Sequence, residues 1–214
     1  MTYEVLNCEI RDEISIITLN RPEKRNALSR QLRDEIVSCL VDLEQDEKIK
    51  AIVITGAGDS FCAGFDLAEF QSGEMQEIFA HAAGYHHKVY NTSKPTIAAV
   101  NGSAMAGGMD LAAMCDVRVV TTNSTFGQPQ VKMGIAAAFD LLRTVLPEPL
   151  ARELCLTGRK MDAQEARACG FANRIVEQED LIQSAFQLGV EIAQSAGSGL
   201  MKAQFRTSQP DLFE

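Results

Sequence analysis

Two glycine-rich segments, GAGDSFCAGFDL (residues 56–67) and NGSAMAGGMDLAAMCD (residues 101–116), each follow an apolar run and set small residues where that run stops. Backbone N–H groups left unpaired at a strand end or a helix start can be aimed at a negative oxygen. The chemistry these loops suggest is therefore main-chain stabilisation of an oxyanion. Familiar glycine motifs each fail on one position. Gly56-Ala57-Gly58 would need glycine at 61 to form a dinucleotide loop, and that residue is Phe61. A nucleophile elbow around Ser60 would need glycine at position 62, which is Cys62. No lysine follows a glycine run as a phosphate loop requires. Cys62 has no histidine beside it in sequence and reads as a buried thiol. His86 and His87 lie five and six residues after His81, whereas helical metal pairs are about three or four apart, so no metal site is expected.

Around these loops, residues 3–10 and 14–20 read as strands joined by the turn RDE. Ser29 is placed to cap a helix with Leu32, Ile36, Leu40 and Leu43 on one face and charges opposite. AIVIT and TIAAV are continuous apolar runs of the kind buried on both faces of a sheet, and VRVVTT is a further strand. A helix is expected over about 74–92, stopped before Pro95, and a short one in AGGMDLAAMCD. Beyond residue 135 the pattern is mainly helical, with Asp162 and Glu165 as a capping box, Gly170 as a stop, a last helix over about 179–196 and the polar tail TSQPDLFE. Strands alternating with helices, then helices alone, indicate an α/β core with a helical end.

The composition fits an ordinary globular chain of 214 residues, 46% hydrophobic and 23% charged. A net charge of −9 argues against a nucleic-acid surface. No apolar run approaches the roughly 20 residues of a membrane span, and the N-terminus lacks the pattern of a secretory signal. The six cysteines are scattered without a CxxC pair and read as thiols of a reducing, cytoplasmic compartment.

Blocks in a fixed order between about residues 3 and 200 make the chain resemble the crotonase (enoyl-CoA hydratase/isomerase) superfamily. They are ITLNRPEKRNALS, AIVITGAGDSFCAGFDL, KPTIAAVNGSAMAGGMDLAAMCDVRVV, FGQPQVKMGI and LTGRKMDAQEARACGFANRIV. The resemblance implies a spiral of ββα repeats over residues 1–175, with a short helical C-terminal segment over 176–214, together one domain. It implies an acyl-CoA substrate, with coenzyme A belonging to the substrate and no separate cofactor, and a homotrimer or dimer of trimers. The family's two oxyanion donors fall on Phe65, just after the glycine of CAGFDL, and on Gly107 of AMAGGMDL. The resemblance further places Lys24, Arg25, Ala27, Leu28, Ala63, Gly64, Asp66, Leu67 and Gln130 as candidate contacts to the thioester. Ala63 and Gly64 are then small so that the thioester can approach the backbone.

Hydratases of the family hold water between two glutamates. Here the matching positions are Asp110 and Gln130, and a glutamine cannot take or return a proton. A single carboxylate suffices to move a proton between two carbons of an enolate, which points to double-bond isomerisation with Asp110 as shuttle. Asp140 is the other nearby acid and a weaker second candidate, since it equally suits a helix start or a solvent-facing site. Rival readings are a thioester hydrolase or another crotonase-type lyase, and a non-catalytic acyl-CoA-binding homologue.

Overall fold

A computed structural model describes residues 3–69 and 75–213. The chain opens with β1 (Leu6–Arg11) and β2 (Ile14–Leu19), an antiparallel pair in register Leu6↔Leu19, closed by a turn in which Asp12 takes φ +53°. Residues 22–24 form a 3-10 turn, and α1 (Arg30–Gln45) follows. Ser29 caps α1 by accepting from the Leu32 N–H at 3.3 Å, and Leu32, Ile36, Leu40 and Leu43 are buried, as their spacing requires.

From there each turn of the chain repeats one pattern of long strand, short strand and helix. The turns are β3 (Ala51–Gly56), β4 (Ser60–Cys62) and α2 (Met75–Tyr90); then β5 (Thr96–Val100), β6 (Ser103–Met105) and α3 (Gly107–Met114). Next come β7 (Val117–Thr121), β8 (Thr125–Gly127), a 3-10 stretch at 129–133 and α4 (Phe139–Val145). The long strands stack in a six-stranded sheet of order β1-β2-β3-β5-β7-β10, where β10 is Arg174–Val176. The short strands stack beside it in a four-stranded sheet of order β4-β6-β8-β9, where β9 is Lys160–Asp162. This is the spiral of ββα repeats.

The larger sheet is covered on both sides, which is why AIVIT and TIAAV read as unbroken apolar runs. Ile17, Leu19, Ile52, Ile54, Ala98 and Val100 pack toward α1, α2 and α3, whereas Ile14, Ile16, Val53, Ile97 and Val119 pack against α7 (Leu181–Gln194). The region beyond residue 135 is not helical throughout. It holds α4, α5 (Glu148–Thr157) and α6 (Ala163–Ala168), but also β9 and β10. Between the expected last helix and the tail, a further helix that the sequence pattern did not mark, α8, runs over Ser198–Ser208; the described residues after Ser208 are non-helical. This helix is pinned by Lys202, whose ammonium lies 2.8 and 2.9 Å from the Asp116 carboxylate. The capping box is only half made. Asp162 accepts from the Glu165 N–H at 2.8 Å, but the Glu165 carboxylate turns to Arg159 at 2.6 and 2.8 Å. The expected start of α2 at residue 74 lies outside the described residues. Among the described residues no helix is long and apolar enough to cross a membrane.

Candidate active site

The strands of the smaller sheet end beside one another, and the loops leaving them frame a cavity of about 640 Å³. Ala63, Phe65 and Leu67 line it from the first turn, Ala106, Gly107 and Asp110 from the second, and Pro129 and Gln130 from the third. The far wall is apolar, with Phe79, Ala136, Ala137, Leu212 and Phe213.

Phe65 is set by a single parallel bridge to Leu28. The Leu28 N–H donates to the Gly64 carbonyl at 2.8 Å, and the Asp66 N–H reaches the Leu28 carbonyl at 3.4 Å. Those bonds belong to the residues on either side of Phe65, so its own N–H is turned away from Leu28. Among the described residues that N–H has no backbone partner. Gly107 is the first residue of α3, where N–H groups have no partner within the helix. Its entry is tight, since Ala106 before it sits at φ +49°, ψ −124°, a conformation rare for a residue with a side chain. Two asparagines brace the turn that delivers the first loop. Asn26 Nδ2 donates to the carbonyls of Ala57 and Ser60 at 2.9 and 2.8 Å, and Asn101 Nδ2 to that of Gly58 at 2.8 Å.

Glycine at 64 has a different reason from the one expected. Gly64 is buried and does not line the cavity; a Cβ there would lie 2.8 Å from the Met105 carbonyl oxygen and 2.9 Å from Ala106 Cβ. Its φ of +90° excludes most side chains as well. Its smallness lets the first loop lie flat on the second, not a ligand on the first. Gly108 is tighter still, with a Cβ meeting the Cys62 carbonyl oxygen at 2.1 Å.

Asp110 is 5% exposed on the first turn of α3. Burial raises its carboxyl to about 7, against the lowering effect of a hydrogen bond from Gln128. Gln128 Nε2 donates to Asp110 Oδ1 at 2.8 Å, and Gln130 Nε2 donates to Gln128 Oε1 at 2.5 Å. An ionised carboxylate can only accept, so it fixes the direction of both amides. The chain ends at Gln130 Oε1, which is buried with no hydrogen-bond partner among the described residues. His86 also lines the cavity, edge-on to the Phe65 ring at 5.7 Å and 5.2 Å from the Phe213 ring. Burial, helped by Arg33, lowers it to about 4, so it is a neutral wall at physiological pH. Gln128 is not marked by the sequence, and His86 is marked there only as a metal ligand to be excluded, not as a wall of the cavity. Gln128 lies within the FGQPQ block, and only the directional amide chain reveals its part.

Several expected contacts are elsewhere. Asp140 is a correction, because its side chain is 70% exposed, pairs with Arg143 at 3.0 Å and does not line the cavity. Leu28 is fully buried and Ala27 nearly so; neither lines the cavity, and Leu28 acts as the strand partner of Phe65. Asp66 pairs with Arg21 at 3.0 Å and stays outside the cavity lining. Lys24 and Arg25 are exposed on the connector away from the cavity lining, while the Arg25 carbonyl accepts from the Ala63 N–H at 2.9 Å. Cys62 is buried with its thiol pushed up to about 12, which leaves no thiolate for nucleophilic attack.

Residues 9–209 match the family model for enoyl-CoA hydratase/isomerase. The chain belongs to the enoyl-CoA hydratase/isomerase family. One relative, a probable enoyl-CoA hydratase echA8 of Mycobacterium tuberculosis, is 38% identical over 95% of this chain and 81% of its own length. A short-chain-enoyl-CoA hydratase of Clostridium acetobutylicum is 34% identical over 88% of this chain and 75% of that one. Among solved structures, an enoyl-CoA hydratase of Geobacillus kaustophilus superposes with a TM-score of 0.90 at 31% identity, covering 97% of this chain and 84% of the other. EchA1 of Mycobacterium marinum gives 0.88 at 33% identity, covering 95% and 82%. As an enoyl-CoA hydratase/isomerase family member, the chain acts on acyl-CoA thioesters.

Proposed function

We propose that this family member shifts a carbon–carbon double bond in an acyl-CoA, with the thioester oxygen held by the N–H groups of Phe65 and Gly107 and the proton carried by Asp110. The observation that carries the reading is that Asp110 is the single carboxylate lining the cavity among the described residues. Its carboxyl, at about 7, is poised to take and return a proton near neutral pH. Loss of an α- or γ-proton to Asp110 leaves a dienolate whose charge is on the thioester oxygen. Reprotonation at the other carbon returns the proton and gives the isomer, with no net change in atoms. Removing one main-chain donor from such a hole typically costs about 3 kcal/mol of transition-state stabilisation. Coenzyme A enters as part of the substrate, and the reaction calls for no separate cofactor. The family resemblance supports a trimer, or a dimer of trimers, as the working assembly.

Hydration is the second reading, supported by the names of the relatives, which are hydratases. In it Asp110 and Gln130 Oε1 would both accept from one water, and Asp110 alone would handle its proton. Incubation of short 2-enoyl- and 3-enoyl-CoA in deuterated buffer separates these. An isomerase exchanges deuterium into the acyl chain and interconverts the two thioesters; a hydratase forms the 3-hydroxyacyl thioester; a hydrolase releases free thiol. Thiol release, or hydration (which itself adds one deuteron at the α-carbon) without interconversion of the 2- and 3-enoyl thioesters, refutes the isomerase reading, and binding without any turnover leaves a carrier protein.

A further inference from the structure

The Phe65 backbone is held by a buried cation that does not line the cavity. Arg33 lies on α1 and is 1% exposed. Its Nη1 donates to the Leu28 carbonyl at 2.7 Å, Nη1 and Nη2 reach one Glu69 oxygen at 3.0 Å, and Nε donates to His81 Nδ1 at 3.0 Å. The guanidinium carbon lies over the Phe65 ring, 5.1 Å from its centroid. Because Nδ1 of His81 accepts, its proton sits on Nε2, which donates to Asp34 at 2.7 Å. Arg33 thus touches α1, α2 and the loop that follows Phe65.

An arginine this buried carries a desolvation cost that an apolar residue of similar volume avoids. What it holds is the Leu28–Phe65 bridge. The bond from the Asp66 N–H to the Leu28 carbonyl is long, at 3.4 Å, and Arg33 donates to that same carbonyl at 2.7 Å. Its charged end sits over the ring of the other bridge residue, and Glu69 ties in the chain four residues further on. Both partners of the bridge are gripped by one rigid group. We infer that Arg33 is a positioning residue for the Phe65 N–H, setting the direction of that donor without touching the substrate. The inference rests on the reading of Phe65 as an oxyanion donor.

The test uses the full chain with trans-2-butenoyl-CoA carrying ¹³C at the thioester carbonyl, and reads the carbonyl stretch by infrared difference spectroscopy. Arg33→Met is combined with Glu69→Gln so that no charge is stranded. In the parent the bound stretch falls below that of the free thioester. In the double variant the fall shrinks and the deuterium-exchange rate drops about 10–100-fold, the range expected when a catalytic group is misplaced by about an ångström. Its KM stays within about threefold of the parent, since thioester binding is otherwise intact. Phe65→Leu keeps the N–H but removes the ring; it loses part of the same rate and adds little on top of the double variant. A lower melting temperature with an unchanged stretch and exchange rate makes Arg33 merely structural and overturns the inference. Should the double variant fail to fold, Arg33→Lys and Phe65→Leu carry the same comparison, and an unshifted stretch in both overturns it too. A parent that leaves the stretch at its free value refutes the oxyanion reading itself, a result distinct from a polarising parent matched by its variants.

Discussion

Asp110→Asn separates what Asp110 does for chemistry from what it does to stability. The carboxyl is half-titrated at 3.8 when unperturbed and at about 7 in the fold, chiefly because burial disfavours its charge. Between those values the folded state holds a proton that the unfolded state has released, so folding stability falls as pH rises through that window and levels off above it. At about 1.36 kcal/mol per pH unit, the group destabilises the parent by about 4 kcal/mol at a pH above both values. Titration of one site between those values makes the part lost from pH 4.5 to 8.5 about 3 kcal/mol. Asparagine has no such dependence, although its own amide can cost about 1–3 kcal/mol at all pH if it lacks a partner. Urea titrations of both proteins across this range should show the stability difference, Asn minus Asp, moving in favour of Asn by about 3 kcal/mol. Deuterium exchange into acyl-CoA should fall at least about a hundredfold in the same variant. A stability difference that stays flat with pH would refute the claim that burial raises this carboxyl. Exchange at the parent rate with intact binding would refute its part as base.

Asp140→Asn should leave the exchange rate within about twofold, because that acid is exposed and paired with Arg143; a hundredfold loss would return it to the site. Gln130→Glu should place a second acid beside Gln128, raise water addition to 2-butenoyl-CoA above the parent, and move the Asp110 titration upward by like-charge repulsion; a pH–rate profile and product analysis check both. Gly108→Ala drives a Cβ to 2.1 Å from the Cys62 carbonyl oxygen and should destabilise by several kcal/mol or prevent folding. Gly84→Ala, in α2 with nothing within 4 Å of its Cβ, should stabilise by about 0.5–1 kcal/mol in a thermal melt.

The long strands were legible because burial on both faces writes an unbroken apolar run, as in AIVIT and TIAAV, and α1 because Ser29 and a regular apolar stripe mark it. The smaller sheet was not. Its strands are three residues long, too short for any period, and each is held by partners far away in sequence. The helix over Ser198–Ser208 was missed because Gly197 and Gly199 punctuate its start and its faces are mostly polar; a buried contact from Lys202 to Asp116 anchors it instead. Phe65, Gly107 and Asp110 were found through the motif blocks, and the structure brings them to one cavity. Arg33 and Gln128 were not, for a common reason. Arg33 falls among the charges of an amphipathic helix, and its burial is invisible until α2 and the loop after Phe65 close over it. Gln128 is one polar residue among several until the direction of its amide is known.

The three short parallel strands of the smaller sheet act as rungs of a ladder, about 4.8 Å apart. Phe65 leaves the first rung, Gly107 and Asp110 the second, Gln128 and Gln130 the third. The strands set the spacing at which the loops start, a repeat distance of the main chain, and the contacts of each loop, such as the Leu28 bridge to Phe65, complete the placement. Lengthening or reshaping the helices between rungs leaves that gauge untouched. Residues on the third rung can be exchanged to alter how a proton or a water is handled, while the first and second keep their spacing. The amides that face Asp110 are in this way carried on a different rung from Phe65 and Gly107, and can change without altering the spacing of those two.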